Sequence, residues 1–206
     1  MQIFIKQNLA MLAVPKTGST AFEMALRREA DIIFAKRRKH MTAGQFHHKC
    51  APFLAEMYDA RPERMAVMRD PVEQIRSWYR YRAAPRLKGQ VNSAAGQSFD
   101  DFVRDVISDA PPPPAQIGSQ HRFLTLSDGT LPLHHLFAYE RQAKLRAFLE
   151  ERFGKPLDIR RKNVSPPIDA PLSPEVAARL KAARPGEFAL YDRLMEAGGH
   201  LRQSAV

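Results

Sequence analysis

The sequence predicts an α/β fold of three layers, a central parallel sheet flanked by helices. Strand-like apolar runs at residues 9 to 14, 31 to 35, 65 to 68 and 134 to 138 alternate with helix-patterned segments, and such alternation builds parallel sheets covered on both faces. The two segments richest in anion-binding groups each follow one of these runs, where sheets of this kind bind ligands. The 206 residues suit one compact domain with a real core, so residues 1–206 are expected to form a single domain without repeats.

The first strand, Leu9 to Val14, runs into Pro15-Lys16-Thr17-Gly18-Ser19-Thr20 and then into a helix-patterned segment. This order makes the predicted fold P-loop-like: the N–H groups and positive dipole end of a helix face a tight turn, Gly18 permits close backbone approach and Lys16 adds a full charge. The turn is not a Walker A loop, because its lysine precedes the only glycine instead of following a second one. Thr20 and Glu23 have capping-box spacing, with Phe22, Ala25 and Leu26 on one face. Glu23 is thereby expected to cap the helix, with a role as a base near the loop as the other reading.

The second run, Asp31 to Ala35, leads into Lys36-Arg37-Arg38-Lys39 and His40. The basic stretch reads equally as a solvated face or as part of an anion site. His47 and His48 are adjacent, and adjacent side chains on a helix or strand point apart, so they do not suggest a metal pair. The single cysteine, Cys50, excludes an internal disulfide and a cysteine-rich zinc site.

The third run, Met65 to Met68, ends in Arg69-Asp70-Pro71 and enters a helix. Asp70 is a good N-cap and Pro71 a good first helical residue, and Val72, Ile75 and Tyr79 recur at core-facing spacing. Ser77 stands about 10 Å along that helix at 1.5 Å per residue, within reach of a phosphate that Arg69 also holds. The plainer reading pairs Arg69 with an acidic neighbour. Trp78, Tyr79 and Tyr81 interleave with Arg80 and Arg82, and scatter of these residues around the helix axis weakens a nucleic-acid stacking platform.

These two segments together resemble the sulfotransferases that use 3′-phosphoadenosine 5′-phosphosulfate, above all the carbohydrate and heparan type and its bacterial members. In that family a P-K-[TS]-G-[ST]-T loop binds the 5′-phosphosulfate and an R-D-P…S segment binds the 3′-phosphate. The resemblance implies cofactor binding by Lys16, Thr17, Gly18, Ser19 and Thr20, and by Arg69 and Ser77, which are separated by seven residues as in the family. It also implies sulfuryl transfer to an acceptor hydroxyl, with adenosine 3′,5′-bisphosphate as product, Lys16 as the electrostatic catalyst and no metal required. Lys39 to Ala43 is similar to the family segment in which a histidine stands near the acceptor. An imidazole suits the base role at neutral pH. His40 is therefore the candidate base, against the plainer reading of a surface histidine.

Weaker likenesses follow in the same order at Ser119 to Leu124, Leu136 to Glu140 and Lys162 to Ser165. Before them, Pro111 to Pro114 reads as a surface connection. His134 and His135 lie against an apolar stretch and read as structural, and Glu140 as support from a strand end; Arg160 to Lys162 reads as a solvated charged face, against the cofactor-approaching role that the resemblance implies for this region.

The formal charge of +10 and pI near 10 point to anionic partners. A nucleotide co-substrate fits, as does a hydroxylated and anionic acceptor such as a glycan. Two rival classes are a basic nucleic-acid binder and an atypical P-loop nucleotide kinase. The kinase would need magnesium-binding carboxylates, and Asp70 is accounted for as a cap. Without signal-peptide grammar, a membrane span or paired cysteines, a cytoplasmic location is expected.

Overall fold

A computed structural model describes residues 1–159 and 168–204. Strand β1 (Gln2–Phe4) turns back into β2 (Leu9–Met11) with Ile3 opposite Ala10. The connection holds only residues 5 to 8, too few for a parallel crossover, and Asn8 closes it at a φ of 49°, a left-handed conformation that asparagine tolerates. β3 (Ile32–Ile33) pairs antiparallel with β1. β4 (Glu63–Met68) and β5 (His135–Ala138) run parallel to β2, and β6 (His200–Arg202) closes the sheet antiparallel to β5.

The sheet order is β3-β1-β2-β4-β5-β6, so the chain is α/β with a mixed sheet. This corrects the expectation of an all-parallel one. Among the described residues β2, β4 and β5 are the strands that pair in parallel, and helical connections long enough for a crossover join them. β1 and β6 escape a search for apolar runs because each is three residues long. The second expected strand shrinks to a two-residue edge.

Strand alternation divides the core between the two faces of the sheet. Ala10, Leu12, Ala66, Met68 and Leu136 pack with Phe46, Leu54 and Leu124 in one cluster, joined by Leu194. These last four belong to a π-turn at Phe46–Cys50 that continues a short α2 (Ala43–Gln45), and to α3 (Ala51–Tyr58), α6 (Gln120–Leu124) and α9 (Pro185–Glu196). Leu9, Met11, Met65, Val67 and Phe137 meet Phe22 and Leu26 near α1 (Ser19–Ala25) and Leu145 and Leu149 of α7 (Gln142–Phe153). A third cluster joins α4 (Pro71–Arg82), α5 (Phe99–Val106) and α8 (Pro174–Ala183) through Ile75, Tyr79, Phe102 and Leu180. Each such side chain contributes about 1.5–3 kcal/mol on burial.

Pro111 to Pro114 lies in a connection between α5 and α6, and a 3-10 turn begins within it at Pro113. No helix among the described residues is long and apolar enough to cross a membrane. Cys50 is buried without a disulfide, and burial pushes its thiol up to about 11, far from a reactive thiolate.

At the amino ends of β4 and β5, His135 shares a hydrogen bond of 3.1 Å with His200 and lies 3.3 Å from Glu63, which Arg152 also pairs. His134 accepts from the Arg64 N–H at 2.9 Å. Both histidines of the 134–135 pair are thus structural, as the apolar context predicts. Burial, with the Arg202 charge behind it, pulls His200 down to about 4. The folded state therefore binds this proton less readily than the unfolded chain. The stability is present above pH 6.5 and is lost as pH falls toward 4. Urea melts at pH 7.5 and 5 are expected to differ by about 1 kcal/mol from this site after allowance for solvent screening, and His200→Phe should reduce the difference.

Candidate functional site

The three parallel strands deliver their following residues to one edge of the sheet. After β2 come Lys16 to Thr20, after β4 Arg69 and Asp70, and after β5 Tyr139 and Glu140. The site is built from these three turns and one face of α4.

In the first turn, Lys16 and Gly18 take φ values of 67° and 72°. A Cβ on Gly18 would stand 3.2 Å from Tyr139 Cε2, so both backbone conformation and close approach call for glycine. Thr17 is buried, and its hydroxyl donates to the Val14 carbonyl at 2.9 Å. Its side chain pins the turn. No acceptor among the described residues receives the N–H groups of Thr17, Gly18, Ser19 or Thr20.

The expected capping box does not form. Helix α1 starts at Ser19 with Gly18 as its N-cap and no side-chain cap. Thr20 is already inside the first turn, and its hydroxyl accepts from Lys39 Nζ at 3.0 Å. Glu23 pairs with the same Lys39 at 2.7 Å and with the Met1 amine at 3.0 Å. Its carboxylate is therefore neither cap nor free base. Lys39 ties the basic run to the turn, whereas Lys36 to Arg38 are exposed. A capping box does occur at Thr42 and Gln45.

Asp70 caps α4 as predicted, accepting from the Glu73 N–H at 2.9 Å. Arg69 is held from several sides. The Gln120 side chain accepts from its N–H and donates to its carbonyl, both at 2.9 Å. Tyr139 lies beneath its guanidinium at 4.5 Å, and Nη1 donates to the Lys16 carbonyl at 3.5 Å. Glu73 approaches Arg69 to 3.7 Å but pairs more closely with Arg76. Gln120 is fixed by the buried Glu187 carboxylate, which accepts from Ser119 Oγ at 2.6 Å and lies 3.6 Å from Arg184. Glu140 accepts from the Asp70 N–H at 3.1 Å and from the Tyr191 hydroxyl at 2.9 Å. Its expected role as strand-end support is met.

Helix α4 presents Trp78, Tyr81 and Arg82 at i, i+3 and i+4, which is one face. The expected scatter holds only in part: Tyr79 turns into the core as expected, donating to the Gln97 carbonyl at 2.7 Å, and Arg80 donates to the Ile168 carbonyl at 3.0 Å, but the other three gather on one face. Lys16 Nζ sits 4.8 Å from the Tyr81 ring centre and 5.6 Å from that of Trp78. Arg82 lies 5.4 Å from Trp78, and Arg86 lies 4.9 Å from Tyr81. Burial, reinforced by the charges of Arg69, Arg86 and Arg82, drives the Lys16 ammonium down to about 8. Ser77 is half-buried one turn before Tyr81. Three buried donors beside these groups, Arg69 Nε, Trp78 Nε1 and Arg82 Nε, have no partner among the described residues. Buried donors are ordinarily satisfied, and this arrangement is suited to an anion.

His40 follows a 3-10 turn at Lys36–Arg38 and places Nδ1 2.7 Å from the Ala13 carbonyl. A carbonyl only accepts, so Nδ1 carries a hydrogen and the ring, which is exposed, has Nε2 as its remaining nitrogen. The histidine is thus tethered to the strand end that feeds the Lys16 turn. His47 and His48 differ from expectation: their rings meet edge-to-face at 4.7 Å in the π-turn, whose extra residue per turn alters the usual splay. His47 Nδ1 lies 3.0 Å from Arg64 Nη1, and no metal-holding group of three His, Cys, Asp or Glu is found among the described residues.

The contacts of Gln120, Tyr139 and Trp78 were not legible from their positions in the chain; only the Ser119–Leu124 and Tyr139–Glu140 likenesses and the aromatic spacing hint at them. Arg160 to Lys162 and Asn163 to Ser165 lie outside the described residues. Comparisons with protein-family models, curated proteins and solved structures gave no match.

The crowded ammonium has a measurable consequence. Lys16 is cationic below about pH 8, and in that form its neighbours repel it; an anion relieves the repulsion. Pyrophosphate is expected to raise the melting temperature at pH 7 by more than at pH 9, by about 2–4 °C for each kcal/mol of binding in a chain of this size. Lys16→Met should remove most of that shift while raising the melting temperature of the ligand-free protein.

Proposed function

We propose that the protein is a sulfotransferase that uses 3′-phosphoadenosine 5′-phosphosulfate, built on a P-loop-like three-layer variant of the α/β fold. The observation that carries this reading is the meeting of the Lys16 turn and Arg69 on one sheet edge, with buried donors unpartnered around them. The fit to the bisphosphorylated nucleotide is good. The free N–H groups of residues 17 to 20 and the hydroxyls of Ser19 and Thr20 suit the 5′-phosphate, Arg69 and Ser77 suit the 3′-phosphate, and the Trp78–Tyr81 face offers aromatic surface between cations.

When bound, the nucleotide supplies an activated sulfuryl group and a stable bisphosphate leaving group. The chain supplies positioning and charge. Lys16 would supply the positive charge that stabilises the leaving oxygen of the bound nucleotide, and its partial desolvation would strengthen that interaction. His40 Nε2 accepts the acceptor hydroxyl's proton while Nδ1 stays bonded to Ala13, so the ring leaves the step as an imidazolium held in register. Arg69 is anchored through its own backbone by Gln120, which fixes the guanidinium without consuming its side-chain donors. A hydroxylated acceptor is the matching partner. Neither a metal nor a nucleic acid belongs to this reading.

Calorimetric titration tests it. Adenosine 3′,5′-bisphosphate should bind without magnesium and more tightly than AMP, ATP with magnesium or a short oligonucleotide; preference for either of the last two would replace the reading with a kinase or a nucleic-acid binder. Arg69→Ala should weaken bisphosphate binding about 10–100-fold. With a labelled phosphosulfate donor, Lys16→Ala should lower kcat about 10³-fold, and His40→Ala about 10²-fold or more at nearly unchanged bisphosphate affinity. Unchanged turnover in the His40 variant would remove it as the base.

A further inference from the structure

Lys39 holds two side chains of α1 at once. Its ammonium donates to Thr20 Oγ1 at 3.0 Å and pairs with Glu23 at 2.7 Å, and its side chain is 22% exposed. An ammonium has donors and no acceptor, so Thr20 receives a hydrogen from Lys39 and keeps its own. A helical threonine can spend that proton on the carbonyl four residues back, but Thr20 makes no such bond among the described residues. Its hydroxyl is therefore left with one donor and an oxygen already polarised by a cation, and a hydroxyl in that state donates more strongly. The next residue, His40, bonds the Ala13 carbonyl at 2.7 Å. Residues 39 and 40 thus grip the chain on both sides of the Lys16 turn, one at the first turn of α1 and one at the end of the strand run.

We infer that Lys39 is a positioning residue of the proposed nucleotide site: it presents the Thr20 proton to an oxygen of the 5′-phosphate and acts on the ligand through that hydroxyl. The inference rests on the reading of this turn as the 5′-phosphate cradle. An ionised phosphate oxygen only accepts, and a hydroxyl that met it with a lone pair would repel it. With Lys39 on its oxygen, Thr20 has its proton turned away from the ammonium and free for an anion. Glu23 anchors the ammonium, so the lysine is fixed before any ligand arrives. The effect belongs to the 5′ end of the nucleotide, because the 3′-phosphate is assigned to Arg69 and Ser77.

Nuclear magnetic resonance titrations of the full chain with adenosine 3′,5′-bisphosphate, AMP, adenosine 3′-monophosphate and pyrophosphate test this without any turnover. Thr20→Val should weaken the bisphosphate and AMP about tenfold, the loss of one hydrogen bond to a charged group. Adenosine 3′-monophosphate, which lacks the 5′-phosphate, should stay within about twofold of wild type. Lys39→Met should reproduce this pattern, and adding it to Thr20→Val should cost no more than about another twofold, because the lysine then has no hydroxyl to act through. Thr20→Ser keeps the hydroxyl and should keep the affinity. Unchanged binding in Lys39→Met, losses that add in the double variant, or an equal loss for adenosine 3′-monophosphate would overturn the assignment. Should Lys39→Met fail to fold, wild-type affinity in Thr20→Val overturns it by itself. Pyrophosphate binding with the same coupling, in a wild type that does not bind the bisphosphate, would retain the role of Lys39 toward an anion and remove the nucleotide reading.

Discussion

The crowding of cations at one sheet edge is the constraint that organises this molecule. Burial, and after it the charges of Arg69, Arg86 and Arg82, depress the Lys16 ammonium, and the carboxylates nearby are largely engaged elsewhere. Glu73 closes on Arg76, Glu140 receives the Asp70 amide and the Tyr191 hydroxyl, and Glu187 is buried under Gln120. Like charges brought together in a partly desolvated setting cost stability. In the proposed reading the charges serve an anionic ligand, and binding and stability then oppose each other.

The remainder of the site is scaffolding against that repulsion. Aromatic faces take the place of counter-ions, with Tyr139 beneath Arg69 and Trp78 and Tyr81 beside Lys16. A face of this kind attracts a cation without neutralising it, so the positive potential remains available. Gln120 acts on Arg69 through the backbone, and the buried Glu187 holds Gln120 in turn. The side chain that meets solvent is thus positioned by two residues that do not.

Local chemistry was legible in the sequence where a short window contained the whole cause. Asp70-Pro71 had to open a helix, the Leu9–Val14 run had to feed the Lys16 turn, and His134 and His135 had to be structural. Windows fail where a distant partner competes. Thr20 and Glu23 have capping spacing, but Lys39 claims both. The all-parallel sheet failed because β1 and β6 are too short to register as apolar runs, although the four-residue β1–β2 connection dictates antiparallel pairing once β1 is seen. The aromatic face of α4 was readable from its i, i+3, i+4 spacing. The contacts of Gln120 arise only from packing between elements far apart in the chain.

The contact between Gly18 and Tyr139 joins two positions that lie on different strands' ends into one heritable unit. A side chain at 18 would strain a left-handed backbone and press on the Tyr139 ring, and loss of the ring at 139 would strip the surface on which Arg69 lies. Neither position is free to drift alone, so sequence change at one should be conditional on change at the other.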